Sequence, residues 1–230
     1  MIAAEKIIVA LDFSEESKVL NFFDELKGHN VWVKVGMELY YSMGPKIIHE
    51  AKERGYKVFL DLKLHDIPNT VGQSIKALTQ LPIDMINVHA AGGGEMMKRA
   101  AESAKASKFN PLLIAVTQLT STTAEQMNRE QRIPGDIVES VSHYAKLAKD
   151  SGCDGVVSSP HEVQAIKLIC GSRFLTVTPG IRPADADVQD QKRVTTPLEA
   201  LRLGTDYMVI GRPITQAPNS RTALESILKG

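Results

Sequence analysis

The 230-residue sequence predicts an α/β fold in which eight strand–helix units close into a (β/α)8 TIM barrel. Short runs rich in Val and Ile recur along the chain, and stretches with helical periodicity separate them. Alternating strands and helices imply a parallel sheet, and eight such units in about 200–250 residues fit a closed barrel better than an open doubly wound sheet. Because no change in composition marks a linker, we expect residues 1–230 to form a single domain.

Eight short apolar runs are the predicted strands. In chain order they are IIVALDF (7–13), VWVKVG (31–36), KVFLDLKLH (57–65), DMINVHA (84–90), LLIAVTQL (112–119), DGVVSS (154–159), FLTVTPG (174–180) and YMVIGRP (207–213). Helical periodicity is clear in the intervening stretches EESKVLNFFDELKG, MELYYSMGPKIIHEAKERG and GDIVESVSHYAKLAKDSG. Gly28, Gly55 and Gly152 end these three stretches, as expected for a helix stop.

Two long polar segments interrupt the regular spacing. TSTTAEQMNREQRIPG (120–135) follows the fifth run, and IRPADADVQDQKRVTTP (181–197) follows the seventh. Long loops in a compact domain are often functional, because they bind ligands or cover a site. We therefore expect both segments to act as lid loops over the same end of the barrel.

The overall composition gives no sign of a nucleic-acid or membrane partner. Lys plus Arg and Asp plus Glu number 27 each, whereas binding to nucleic acid or an anionic membrane usually requires a basic excess or patch. The N-terminus carries Glu5 and Lys6 beside a short apolar run, which predicts neither a signal peptide nor a membrane span. Cys153 and Cys170 show no metal-ligand spacing and suit a reducing compartment, so we expect a cytoplasmic protein.

Groups able to bind or react are concentrated at the carboxyl ends of the predicted strands, where TIM barrels place their active sites. In chain order these are Asp12, Lys34, Asp61, Lys63, Asp66, His89, Thr120, Pro179, Gly180, Arg182, Gly211 and Arg212. The amino ends of the runs show no such concentration on inspection of the sequence. We therefore expect the candidate site at the carboxyl end.

Side-chain alternation brings three of these charges together. In the second run Val31, Val33 and Val35 share one face, so Lys34 lies on the other. In the third run the Val and Leu residues must face the helices, which directs Asp61 and Lys63 into the barrel mouth. Charges in a partly enclosed space persist only when paired, and such clusters in clefts are more often functional than structural. A salt-bridged plug without chemistry is the alternative.

The last two strands carry a second signal, for a phosphate group. TPGIRP and IGRP each place Gly beside Arg at a strand end. Glycine lets a phosphate approach the backbone N–H groups, and the guanidinium offers two parallel hydrogen bonds. Barrel enzymes frequently bind phosphate after strands seven and eight. The alternative is that Arg182 and Arg212 are surface residues beside tight turns.

Other polar motifs point to no metal or nucleotide-loop site. HAAGGGEMMKRA (89–100) lacks both GxGxxG and the P-loop signature, and is better explained as a tight strand-to-helix turn. The histidines have no HxH or HExxH spacing, so a zinc site is not expected. His89, alone at a strand end, could be catalytic or structural.

The charged motifs match the pattern of one known family. The central element is Asp61-x-Lys63-x-x-Asp66 followed by IPNTV, and the others are VALDF with Asp12, KVG with Lys34, VTPGIRP with Arg182, DQKRV with Gln191, and IGRPI with Arg212. Together, in this order from about residue 7 to residue 214, they resemble the orotidine 5′-phosphate decarboxylases. Thr195 departs from the family pattern, where a larger residue, often Met, is expected.

The resemblance implies a TIM-barrel homodimer that converts orotidine monophosphate to uridine monophosphate and CO₂ without a metal or organic cofactor. It implies that Lys63 donates the proton to C6 of the pyrimidine, in a charged network with Lys34, Asp61 and Asp66. Asp66 and Thr70 would reach into the neighbouring subunit's site.

The resemblance also assigns the remaining parts of the substrate. Asp12 and Lys34 would hold the ribose hydroxyls. Thr120 would lie in the loop that covers the pyrimidine. Gln191 and Arg212 would bind the phosphate with Gly211 beside them, and Arg182 would belong to the same closing loop.

Two rival interpretations remain. Hexulose-phosphate synthase and ketogulonate-phosphate decarboxylase share the Asp-x-Lys-x-x-Asp motif, but they use Mg²⁺ and a Glu at the end of strand two. This chain has Lys34 there, and a charged lysine cannot ligate Mg²⁺. A catalytically inactive barrel that binds phosphate ligands is the second rival, and the presence of every motif residue argues against it.

Overall fold

The computed structural model describes residues 1–183 and 195–230. Eight parallel strands pair in chain order, and the last pairs with the first, which closes the sheet. They are β1 (Ile7–Leu11), β2 (Trp32–Gly36), β3 (Lys57–Leu64), β4 (Met85–His89), β5 (Leu112–Val116), β6 (Gly155–Val157), β7 (Leu175–Thr178) and β8 (Tyr207–Ile210). Each lies within one of the predicted apolar runs, so the predicted (β/α)8 barrel is confirmed.

Helices separate the strands as the periodicity predicts. Within the described residues they are α1 (Glu16–Glu25), α2 (Met37–Met43), α3 (Lys46–Glu53), α4 (Pro68–Leu78), α5 (Gly93–Lys105), α6 (Ala124–Arg129), α7 (Ile137–Asp150), α8 (Val163–Cys170), α9 (Pro197–Arg202), α10 (Arg212–Thr215) and α11 (Ser220–Lys229). None of these helices is long and apolar enough to cross a membrane. Gly28, Gly55 and Gly152 all adopt positive φ, which confirms them as the residues that stop three helical segments.

The segment 120–135 is more ordered than its polar composition suggests. It contains α6, which begins with a reciprocal capping box. The Thr123 side chain accepts the Gln126 backbone N–H at 3.2 Å, and the Gln126 side chain accepts the Thr123 N–H at 3.1 Å. The second predicted lid, 181–197, lies largely outside the described residues.

Alternation along the strands produces two apolar clusters, one inside the barrel and one between the barrel and the helices. The inner cluster consists of Ile8, Ala10, Trp32, Phe59, Met85, Ile114, Val177 and Val209. The outer cluster includes Val33, Val58 and Leu60, all fully buried. Full burial of a Val or Leu side chain contributes about 1.5–3 kcal/mol, so the outer cluster holds the helices firmly to the barrel. The inner cluster fills the barrel below the polar groups at the carboxyl ends of the strands.

The amino end of the barrel also carries a repeated arrangement of aspartates. This is contrary to the expectation that polar groups gather only at the carboxyl end. Asp84, Asp154 and Asp206 immediately precede β4, β6 and β8, and each carboxylate accepts a backbone N–H from the preceding strand at 2.7 to 2.8 Å. Lys52 and Lys167 bind two of these carboxylates at 2.8 and 2.6 Å. These aspartates lie outside the apolar alternation, which is why the sequence pattern did not reveal them.

Candidate active site

A charged cluster centred on Asp61 lies at the carboxyl ends of β2 and β3. The Lys63 Nζ donates to Asp61 Oδ1 at 2.7 Å, and the Lys34 Nζ lies 3.2 Å from Asp61 Oδ2. Lys34 also lies 3.8 Å from Asp12 Oδ1, at the end of β1. The structure therefore brings together four of the residues that the sequence analysis singled out, and one carboxylate is shared by two ammonium groups.

Asp61 is ionised in this setting although it is buried. Burial by itself would raise the pKa of the Asp61 carboxyl. The positive charges of Lys34 and Lys63, with hydrogen bonds from Lys63 and Asn87, outweigh burial and hold the pKa below its usual value. The site thus presents a fixed negative charge between two lysines.

The backbone of Lys63 is unusual. Its φ is 51°, in the left-handed region, which costs a residue other than glycine roughly 1–2 kcal/mol. The pairing of β3 with β4 also changes register there, because Leu60 pairs with Ile86 but Leu64 pairs with Val88. Alternation predicted correctly that Lys63 faces the mouth, but it did not reveal this irregular backbone.

Sequence reasoning missed Asn87, which lies next to these charges on β4. Asn87 is fully buried. Its Nδ2 donates to Asp61 Oδ1 at 2.6 Å, and its Oδ1 accepts the Lys63 backbone N–H at 2.8 Å. A signal for it exists in the run MINVH, since alternation places Asn87 on the same inward face as Met85.

A cavity of about 280 Å³ opens above the cluster. Its polar wall is formed by Lys34, Asp61 and Lys63, and Thr120 in the loop after β5 contributes to its rim. Inner-barrel side chains such as Phe59 provide apolar surface. A flat, partly apolar group with a polar edge fits a space of this kind.

A second cavity, of about 390 Å³, lies at the ends of β7, β8 and β1. Arg182, Gly211 and Arg212 line it, as the Gly–Arg motifs predicted, and Asp12 forms part of its wall. Arg182 is 8% exposed as a residue, and its guanidinium donates to the Ile181 carbonyl at 3.2 Å. Arg182 is therefore a buried residue, and not a surface residue beside a turn.

The two cavities adjoin. Lys34, Pro179 and Val209 line both of them, so a single extended ligand could occupy the pair. The smaller cavity contains the charged cluster, and the larger one contains the arginines. The arrangement is suited to a molecule with a ring at one end and an anionic group at the other.

The base of the segment after β7 is closed by backbone hydrogen bonds. The Arg182 N–H donates to the Thr195 carbonyl at 3.0 Å, and the Thr195 N–H donates to the Gly180 carbonyl at 3.2 Å. Gly180 has a φ of 81°, which a residue with a side chain rarely adopts. Thr195, the departure from the family pattern, is buried, and its hydroxyl lies 3.4 Å from His161 Nε2.

Two predicted site residues are not part of this assembly within the chain. Asp66 and Thr70 are exposed at the end of β3 and in α4, and they line neither of the two cavities. The Asp66 carboxylate accepts the backbone N–H of Ile67 at 2.6 Å. Gln191 lies outside the described residues.

His89 is the last residue of β4 and lines neither cavity. Its ring stacks on that of His65, with centroids 5.6 Å apart, and its Nδ1 is buried with no hydrogen-bond partner among the described residues. Burial, followed by the charges of His65 and Lys63, lowers the pKa of His89. These surroundings favour the neutral ring and a structural role.

Comparison with known proteins shows which proteins the whole chain is similar to. The sequence profile of the orotidine 5′-phosphate decarboxylase / HUMPS family matches residues 5–227. Orotidine 5′-phosphate decarboxylases from Bacillus cereus (strain G9842) and Bacillus cytotoxicus are 51% identical over 228 residues, covering 97% of this chain and 96% of each relative. A solved orotidine 5′-phosphate decarboxylase from Lactobacillus acidophilus superposes with a TM-score of 0.86 at 42% identity, covering 98% of both chains. An uncharacterized conserved protein from Geobacillus kaustophilus superposes with a TM-score of 0.85 at 45% identity, covering 96% of this chain and 99% of that one.

Proposed function

The chain belongs to the orotidine 5′-phosphate decarboxylase / HUMPS family, and we propose that it converts orotidine 5′-monophosphate to uridine 5′-monophosphate and CO₂. The family match confirms the resemblance seen in the sequence. The enzyme is a carboxy-lyase, and the reaction belongs to pyrimidine biosynthesis. The observation that carries this proposal is the Asp61 carboxylate held between Lys34 and Lys63 beside an arginine-lined cavity.

The substrate fits the two adjoining cavities in one direction. Its pyrimidine ring occupies the smaller cavity, where the lysines lie, and its phosphate occupies the larger cavity beside Arg212 and Gly211. The ribose then lies where the cavities meet. Lys34 lines both cavities and Asp12 lies 3.8 Å from it, so these two residues can bind the ribose hydroxyls.

Lys63 performs the chemical step. As the C6–carboxylate bond breaks, CO₂ leaves and the bonding electron pair remains on C6. No adjacent carbonyl delocalises this charge, so a fixed ammonium group next to C6 stabilises it in a site shielded from water. Lys63 then gives its proton to C6, forming the C–H bond of the product, and recovers a proton from solvent. No metal or organic cofactor takes part in this scheme.

Asp61 acts on the ground state and on the position of the lysines. Its low pKa keeps it charged, and it lies where the substrate carboxylate would approach Lys63. Repulsion between the two carboxylates favours loss of CO₂. The two ion pairs to Asp61 also hold Lys34 and Lys63 in place before substrate arrives.

Phosphate contacts far from C6 assist by closing the site. Arg212 and Gln191 bind the phosphate, Thr120 covers the pyrimidine, and Arg182 belongs to the segment that closes over the larger cavity. Binding energy from the remote phosphate then closes the lid segments 120–135 and 181–197 over the site and excludes water. The short backbone ladder between Gly180, Arg182 and Thr195 supports this role, since it anchors both ends of the second lid.

The active enzyme is a homodimer in which Asp66 and Thr70 reach the neighbouring site. Residues 65–70 form a continuous exposed stretch directly after the catalytic strand, and it includes Ile67 at 66% exposure. Tyr41 in α2 is also 72% exposed. The exposed apolar side chains of Ile67 and Tyr41 and the exposed Asp66 support an interface between two copies of the chain.

Mixing two inactive variants tests this shared site. If the sites are shared, each site takes Lys63 from one chain and Asp66 from the other. A dimer of one Lys63→Ala chain and one Asp66→Ala chain then has both defects in one site, and its other site is intact. After dissociation and reassociation, about a quarter of wild-type turnover should return, because half of the dimers are mixed and each has one intact site. Each variant reassociated with itself is the control. No recovery in confirmed mixed dimers would contradict the shared site.

Turnover of orotidine 5′-monophosphate tests the function itself, by the fall in absorbance as uridine 5′-monophosphate forms. We expect full activity in EDTA. The rival Mg²⁺-dependent reactions of this scaffold require a Glu where this chain has Lys34, whose Nζ lies 3.2 Å from Asp61. Activity lost in EDTA and restored by Mg²⁺ would favour those reactions. Absence of turnover with retained nucleotide binding would indicate an inactive phosphate-binding barrel.

A cytoplasmic location is consistent with the cysteines. Cys153 and Cys170 are both free and buried. Burial raises the pKa of the Cys153 thiol to about 12, so it stays protonated and unreactive. Proteins with free buried thiols are typical of reducing compartments.

A further inference from the structure

Asn87 uses both ends of its side-chain amide inside the charged cluster. The Nδ2 donates to Asp61 Oδ1, and the Oδ1 accepts the backbone N–H of Lys63. Asp61 can only accept and the Lys63 N–H can only donate, so the amide has one orientation that satisfies both partners. The reverse orientation would oppose two acceptors on one side and two donors on the other. The side chain is therefore fixed as well as fully buried.

These two bonds reach the reacting lysine by two routes. Asp61 Oδ1 is the same atom that accepts from Lys63 Nζ, at 2.7 Å. One bond from Asn87 thus orients the carboxylate that holds the ammonium group. The other bond holds the Lys63 backbone at its positive φ, where the register between β3 and β4 changes. The position of the Lys63 ammonium group and the conformation of the Lys63 backbone therefore both depend on the Asn87 amide.

We propose that Asn87 is a positioning residue that sets the place of the Lys63 ammonium group relative to the reacting carbon. The proposal rests on the decarboxylase function proposed above. Asn87 lines neither cavity and so acts through Asp61 and Lys63 rather than on substrate. It contributes most in the transition state, because a misplaced ammonium group stabilises the carbanion poorly while the phosphate contacts stay intact.

The first variant, Asn87→Ala, removes both hydrogen bonds. We expect kcat to fall about 10- to 100-fold, the size of effect that an ångström-scale misplacement produces. The KM for orotidine 5′-monophosphate should change less than about threefold, because Arg212 and the larger cavity are untouched. A rise in KM with unchanged kcat would overturn the proposal, since it would assign Asn87 to substrate binding.

The second variant, Asn87→Asp, separates positioning from simple structural support. It keeps an acceptor for the Lys63 N–H but places a second carboxylate against Asp61. Two such carboxylates share one proton at low pH, so the protonated pair restores the missing donor. We expect kcat of this variant, relative to wild type, to rise as the pH is lowered. A ratio that stays constant with pH would overturn the proposal.

Thr176→Val is the matched control. Thr176 in β7 is also fully buried, and its hydroxyl both donates to the Asp206 carboxylate at 3.0 Å and accepts the Asp206 N–H at 3.3 Å. It lies at the opposite end of the barrel, so its loss should lower the melting temperature and leave kcat unchanged. If kcat falls equally in Thr176→Val and Asn87→Ala, loss of a buried hydrogen bond explains both and the proposal is wrong.

The wild-type assay separates the two proposals. No turnover by wild type would remove the proposed function and leave the Asn87 bonds without a reaction to support. Turnover by wild type together with kcat within twofold of it in both Asn87 variants would overturn only the positioning role. Should Asn87→Ala fail to fold, the pH dependence of Asn87→Asp decides the question.

Discussion

The two ends of the barrel contain nearly identical lysine–aspartate pairs with different surroundings. At the carboxyl end Lys63 lies 2.7 Å from Asp61, and at the amino end Lys167 lies 2.6 Å from Asp206. The Lys167 Nζ also donates to the carbonyls of Ser172 and Phe174, at 3.1 and 2.8 Å. Its ammonium group therefore has three protein acceptors, one for each hydrogen.

The Lys63 pair, by contrast, faces a cavity. The Lys63 side chain is 29% exposed, against 17% for Lys167, and it lines the space assigned to the pyrimidine. Asp206 accepts a backbone N–H of the neighbouring strand, whereas Asp61 is bonded by side chains from three strands. The comparison shows that an ion pair becomes available for chemistry when its environment leaves one side open to a ligand.

The largest effect should come from Lys63→Ala. Removal of the ammonium group eliminates both charge stabilisation and the proton donor, so turnover of orotidine 5′-monophosphate should fall by about 10³-fold or more. Binding of uridine 5′-monophosphate, measured by calorimetry, should remain readily measurable because the phosphate cavity is intact. Near-native turnover would show that Lys63 is not the proton donor.

Arg212→Ala should have the next largest effect, confined to substrates that carry a 5′-phosphate. Loss of hydrogen bonds between charged groups costs about 1.5–3 kcal/mol, or roughly 10- to 100-fold in kcat/KM. The comparison compound is orotidine, which lacks the phosphate and should react equally slowly with both enzymes. If orotidine and its phosphate lose equal activity, Arg212 does not bind the phosphate.

Lys167→Ala should affect stability and not turnover. The variant leaves Asp206 and two carbonyls without their charged donor, so the free energy of unfolding should fall by about 1–3 kcal/mol. Urea unfolding measures this, and kcat should stay within about twofold of wild type. Lys146→Ala is the control, since its pair with Asp150 is about half exposed and should contribute less than about 1 kcal/mol.

The smallest effect should be a pH dependence of stability that involves His89. Its folded-state pKa lies below the ordinary value of about 6.5, so protonation favours the unfolded chain. The stabilisation is complete above that pH and is lost as the pH falls through the folded-state pKa. His89→Gln should therefore lose less stability than wild type between about pH 7.5 and pH 5, as measured by urea unfolding. Equal losses of unfolding free energy in wild type and His89→Gln over this pH range would contradict the assignment of the effect to His89.

The sequence predicted the fold well because a barrel is built from a simple repeated pattern. Apolar runs, helical stretches between them and three glycine stops gave eight strands in the right places. It also predicted that Lys34, Asp61 and Lys63 converge, since alternation fixes which side chains face inward. The sequence pattern did not predict the roles of Asp84, Asp154 and Asp206, because these residues precede their strands and lie outside the apolar alternation.

Other parts of the site depend on information that a one-dimensional pattern lacks. The positive φ of Lys63 has no side-chain signature, and it coincides with a change of register between β3 and β4 that only the paired strands reveal. Asn87 matters through its position beside Asp61 on the next strand, which only the closed sheet establishes. The roles of Asp66 and Thr70 stay predictions, since they require a second chain.

The most direct test of the contrast between the two ends is kcat measured for Asp61→Asn and Asp206→Asn in one experiment. Both changes remove one negative charge from a lysine-bound carboxylate. We predict that Asp61→Asn loses about 10²-fold or more in kcat, while Asp206→Asn retains kcat within about twofold and melts at a lower temperature. Comparable losses of kcat in the two variants would contradict the assignment of chemistry to one end and stability to the other.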